Sequence, residues 1–108
     1  MSDTAEETFI VELSENAIIC RSPNGLVETV TWDNLQAVIL ETNDLGPFAP
    51  DVFLLLIGDK GDCLIPAGAT GEEELLERLQ KLERFDNEAF IKAMTSTNKQ
   101  RFLCWQRT

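Results

Sequence analysis

The sequence predicts an α+β fold: a strongly bent antiparallel sheet or partly open barrel of six to seven strands, a C-terminal amphipathic helix, a short second helix and a final strand. Three features predict it. Short apolar runs divided by turn-forming residues fill the first two-thirds of the chain. A run with helical spacing and a start signal follows at Thr70. The middle strands are apolar on both faces rather than on one.

The strands come first. Thr8 to Leu13 forms the opening strand, closed by Ser14-Glu15-Asn16, and Ala17 to Arg21 forms the second. Ser22-Pro23-Asn24-Gly25 is a turn, because proline presets φ while Asn and Gly tolerate positive φ. Leu26, Glu28, Val30 and Trp32 then share one face of a third strand, with Val27, Thr29 and Thr31 opposite, which is hairpin patterning. Asp33-Asn34 interrupts the chain and Leu35 to Thr42 resumes it. Residues 43–51 contain Gly46, Pro47 and Pro50 and form a loop. Val52 to Ile57 is the most apolar strand, turned by Gly58-Asp59-Lys60-Gly61 into Asp62 to Ile65, and Pro66-Ala67-Gly68-Ala69 ends the β region.

The first helix has its own signals. Thr70 and Glu73 have capping-box spacing, Glu72 to Glu74 suit the positive end of the helix dipole, and Leu75, Leu76, Leu79 and Leu82 share one face. Glu74–Arg78 and Glu77–Lys81 are i,i+4 pairs in the favourable order. A second helix starts at Asp86, with Phe85 and Phe90 placed as a hydrophobic staple and Ala89, Phe90, Ala93 and Met94 as its inner face. Thr95 to Asn98 ends it. Gln100 to Gln106 is the last strand, with Phe102 and Cys104 on one side and Leu103 and Trp105 on the other.

The doubled apolar pattern constrains packing most. Val52, Leu54 and Leu56 occupy one face of their strand, while Phe53, Leu55 and Ile57 occupy the other. A half-exposed antiparallel strand alternates apolar with polar residues, and this one does not. The helices cover one face. The second face requires a curled sheet closing on itself, or a second subunit, since an exposed apolar strip of several hundred Å² is an interface.

The element order resembles the pleckstrin-homology-like superfold, and the run Val30-Thr31-Trp32-Asp33-Asn34-Leu35-Gln36-Ala37-Val38 resembles the strand, Trp, turn, strand step of its small bacterial members of unassigned function. The resemblance covers roughly residues 8–83, and the added helix and final strand depart from it. It implies a binding module and names no ligand. Lipid-binding versions use basic loops, whereas residues 1–60 here carry only Arg21 and Lys60, so the phosphoinositide role does not transfer.

Composition narrows the function classes. At 108 residues with 44% hydrophobic content, the chain suits one domain over residues 8–108, preceded by a disordered acidic stretch at 1–7. No apolar run approaches the ~20 residues that cross a bilayer, and the N-terminus lacks signal-peptide features, so a cytoplasmic location is expected. The net charge of −10 repels phosphate backbones and anionic lipids, so neither nucleic acid nor membrane is an expected partner. Cys20, Cys63 and Cys104 are scattered among apolar neighbours, without a CxxC pair or any histidine, and are expected as buried thiols rather than zinc ligands or disulfides.

The absence of histidine removes Ser–His and Cys–His catalysis, and no phosphate-loop pattern is present. Ala67 to Gly71 before a helix suits an anion, but Glu72 to Glu74 already stand there. Asp44 and Asp51 bracket the loop and offer a weak carboxylate pair. No cofactor, metal or enzymatic activity is expected. The expectation is a protein-interaction module, with a partner of unknown identity or itself in a homodimer. Its candidate contact residues are Phe48 between Pro47 and Pro50, a stiff aromatic presentation, and Trp105 near the terminus. Two alternatives are an acidic inhibitor or immunity-type protein covering a basic toxin or nuclease surface, and a carboxylate or metal-dependent enzyme.

Overall fold

The computed structural model describes residues 9–42, 52–96 and 99–107. Seven strands and two helices follow in the order β1 (Ile10–Leu13), β2 (Ala17–Arg21), β3 (Val27–Thr31), β4 (Leu35–Thr42), β5 (Val52–Gly58), β6 (Asp62–Pro66), α1 (Glu72–Gln80), α2 (Asn87–Thr95) and β7 (Gln100–Gln106). The fold is α+β, with two antiparallel sheets of three and four strands, ordered β1-β2-β3 and β6-β5-β4-β7. No backbone hydrogen bond joins β3 to β6 among the described residues, so the sheets do not close into a barrel. The expected disorder at 1–7 and the 43–51 loop lie outside the described residues.

The chain passes between sheets at Thr31 to Asn34, where the Asn34 N–H donates to the Thr31 carbonyl at 3.1 Å. The two inner faces share one buried cluster, with Val11, Ile18, Cys20 and Val30 from the smaller sheet and Val38, Leu40, Leu54, Leu56, Cys63, Ile65 and Cys104 from the larger. Leu75 and Leu79 of α1, Phe85, and Ala93 of α2 complete it. The predicted alternation on β5 holds: Leu54 and Leu56 are buried inward, and Phe53, Leu55 and Ile57 lie on the opposite face.

α1 starts differently from the sequence expectation. Gly71, at φ 89°, takes the cap position, and no side chain caps the helix. Thr70 is diverted because its backbone bridges β1: its N–H donates to the Phe9 carbonyl at 2.9 Å, and its carbonyl accepts from Val11 at 2.7 Å. The Glu72 carboxylate accepts instead from the Gly68 N–H at 3.0 Å. Arg78 lies 4.6 Å above the Trp32 ring rather than bridging to Glu74. α2 follows expectation at its start, where Asp86 accepts from the Ala89 N–H at 3.0 Å and the Phe85 and Phe90 rings stand 6.3 Å apart. Its inner face is Ala89, Phe90 and Ala93, while Met94 is exposed, contrary to the expected inner set.

Candidate functional site

Register decides what the larger sheet presents on its outer face. Leu64 pairs with Leu55, Leu55 with Ile39, and Ile39 with Leu103. One apolar row therefore crosses all four strands, Leu64–Leu55–Ile39–Leu103. Beside it runs Pro66–Phe53–Glu41–Arg101, and on its other side Asp62–Ile57–Ala37–Gln106. The two ends of the apolar row are open, with Leu64 44% and Leu103 49% exposed. Leu55, Ile39, Phe53 and Ile57 are half-buried. Neither helix lies over the row, because their buried residues face the core between the sheets.

A wall rises along the β6 side of this floor. Glu28 of β3 and Phe9, Ser22 and Leu26, which flank the strands of the smaller sheet, line an open groove of roughly 330 Å³ with Leu64, Phe53 and Pro66. Leu26 is 53% exposed at its rim. By strand alternation Phe9, Ser22 and Leu26 continue the inward-facing set of Val11, Cys20 and Glu28 one step past the strand ends. The outer face is thus a shelf, with an apolar central row and a wall along one side.

The shelf carries little charge. Glu41 on β4 is matched by Arg101 on β7, at 2.7 Å. Asp62 accepts from the Gly58 N–H at 3.2 Å.

Phe48, Pro47 and Pro50, with the Asp44 and Asp51 pair, lie outside the described residues. Trp105 does not join the shelf. Strand alternation puts it beside Leu103, but a bulge between Val38 and Ile39 sets Ile39 opposite Leu103 and Val38 opposite Trp105. The extra residue, Cys104, shifts the parity and turns Trp105 toward the core rim. There its indole N–H donates to the Glu83 carbonyl at 3.0 Å, and the Arg107 guanidinium lies 5.3 Å from its ring.

The thiols are buried. Burial, reinforced by Cys20, Glu28 and Asp62 nearby, pushes the Cys63 thiol up to about 12. Burial and then Asp86 raise Cys104 to about 11, and burial and then Glu28 raise Cys20. All three are held as neutral thiols, the unreactive form. Among the described residues, no three of Cys, Asp and Glu are grouped to hold a metal ion, and no helix is long and apolar enough to cross a membrane.

Arg107 was not legible as important. Its side chain donates to the Leu35 and Trp32 carbonyls, both at 2.8 Å, tying the end of β7 to the crossing between sheets. An arginine next to a chain terminus gives no sequence signal of that role.

No protein-family model matches the chain, and comparison with curated proteins and with solved structures yields no match.

Proposed function

We propose that the protein is a non-enzymatic interaction module that binds a protein partner on the outer face of its four-stranded sheet. The observation that carries this reading is the unbroken row Leu64–Leu55–Ile39–Leu103, with exposed leucines at both ends and a wall beside it. Strands about 4.8 Å apart and residue rows about 7 Å apart give the three rows a footprint of roughly 300 to 400 Å². Asp62, Gln106, Glu41 and Arg101 stand within that footprint, so its apolar part is the central row with Phe53, Pro66, Ile57 and Ala37 beside it. Keeping leucine at both open ends of the row leaves apolar surface in water, and burial against a partner removes that cost.

The pleckstrin-homology-like resemblance belongs to the same reading, with three and four antiparallel strands as its scaffold, and β7 after two helices departs from that pattern. In this reading the scaffold serves contact through its sheet surface rather than through basic loops.

Capture of partners from native lysate on immobilised protein tests the proposal. Leu103→Glu should keep the circular dichroism of the wild type, because that side chain is half in solvent, and should lose the retained partner. An unchanged set of retained proteins would refute use of this face.

A further inference from the structure

Resting on that reading of the shelf, we infer that its occupant is a second copy of this chain, stacked face to face about a two-fold axis parallel to the strands. The geometry selects that axis. A two-fold axis across the strands would bring the two Leu26 walls against each other over β6. A two-fold axis along the strands reverses the order β6-β5-β4-β7 in the second copy. Leu64 of one copy then meets Leu103 of the other, Leu55 meets Ile39, and each wall closes beside the other copy's β7. The row of four leucine and isoleucine side chains is self-complementary in that reversal, which is what an isologous interface requires.

Charge agrees with the same arrangement. Glu28 lines the wall groove, and Arg101 stands on β7, its side chain two-thirds exposed (67%) although it touches Glu41. Reversal brings the wall of one copy to the Arg101 side of the other, so the charged groups at each edge are opposite in sign. Asp62 falls against Gln106, and no pair of acids is stacked. A highly basic partner would instead seek the acidic remainder of the chain and leave the apolar row uncovered.

Area sets the strength. The floor's footprint of roughly 300 to 400 Å² per copy, with the wall groove beside it, is below that of standard specific interfaces, so the dimer is weak and concentration-dependent. Dissociation in the micromolar range is therefore expected. Because both copies carry net charge −10, association should tighten as salt screens their repulsion.

Sedimentation equilibrium of the purified chain, from about 1 μM to about 1 mM, spans the range over which such a dimer forms and dissociates. The wild type should shift from monomer to dimer. Leu64→Lys should remain folded and monomeric throughout. Leu64→Lys with Leu103→Glu in one chain should restore the dimer at least tenfold over the single variant, since only the reversed stacking puts residue 64 against residue 103. A wild type still monomeric at the top concentration would overturn the inference. So would a dimer indifferent to Leu64→Lys, or a double variant no better than the single. A monomeric wild type that still loses its lysate partner on Leu103→Glu would overturn the second copy alone. Loss of neither association nor capture would take the proposed function down with it.

Discussion

Replacing Gly71 with alanine puts a methyl group where β1 already lies. A Cβ built at Gly71 would stand 2.2 Å from the Val11 carbonyl oxygen, about 1 Å inside ordinary contact, and the residue holds φ +89°. The left-handed backbone costs a non-glycine residue roughly 1 to 2 kcal/mol. Relieving the overlap pushes β1 from Thr70 and loosens the two hydrogen bonds joining Val11 and Phe9 to it, each worth roughly 1 kcal/mol. The sum is about 2 to 4 kcal/mol, a large share of a stability of roughly 5 to 15 kcal/mol. Thermal unfolding followed by circular dichroism should show a fall of roughly 10 to 25 °C. Gly61→Ala, where nothing lies within 4 Å and φ is not positive, is the matched control and should change little. A Gly71→Ala protein melting within about 3 °C of the wild type would refute this account of how β1 and α1 are joined.

Removing the Arg107 side chain should cost roughly 1 to 2 kcal/mol in urea unfolding, because two carbonyls lose a charged donor whose exposure discounts its worth. Arg107→Lys should recover only part of it, and a midpoint unchanged by Arg107→Ala would mean that the crossing between sheets holds without it. Stability should fall as pH rises above about 9: the Cys63 thiol ionises near 9.0 when unfolded and near 12 in the fold, so the stabilisation present below pH 9 is lost across that window. Urea midpoints measured from pH 7 to 10.5 check it, and Cys63→Ala should lessen the decline, with the raised Cys20 and Cys104 thiols accounting for what remains; a decline of equal slope in that variant would assign it elsewhere.

Much of the fold was legible because local signals and tertiary packing agree. The Ser22 to Gly25 turn, the Asp86 cap and the Phe85–Phe90 staple depend on residues next to one another in sequence. The two-sided apolar pattern of β5 was legible too, but the expected curled sheet closing over its second face was not found: Phe53, Leu55 and Ile57 stay half-buried on the outside of the larger sheet. What sequence could not supply was register. Nothing local says that Leu64, Leu55, Ile39 and Leu103 line up, since paired neighbours in the row lie as far apart in sequence as Ile39 and Leu103, more than half the chain. The bulge at Cys104 is equally silent, and it removed Trp105 from the face to which simple alternation assigned it. At Thr70 a valid capping signal lost to a stronger demand: its backbone groups pair with β1, and Glu72 takes a different N–H.

The claim that the outer face of the larger sheet is the contact surface can be tested residue by residue with methyl NMR spectra of the purified chain over a range of concentrations. The methyl groups of Leu55, Leu64 and Leu103 should move together as concentration rises, while those of Leu54 and Leu56, buried on the opposite side of the same strand, stay in place. Spectra in which these outer leucines do not move, or in which the changes gather at the exposed Ile91 and Met94 of α2, would contradict it.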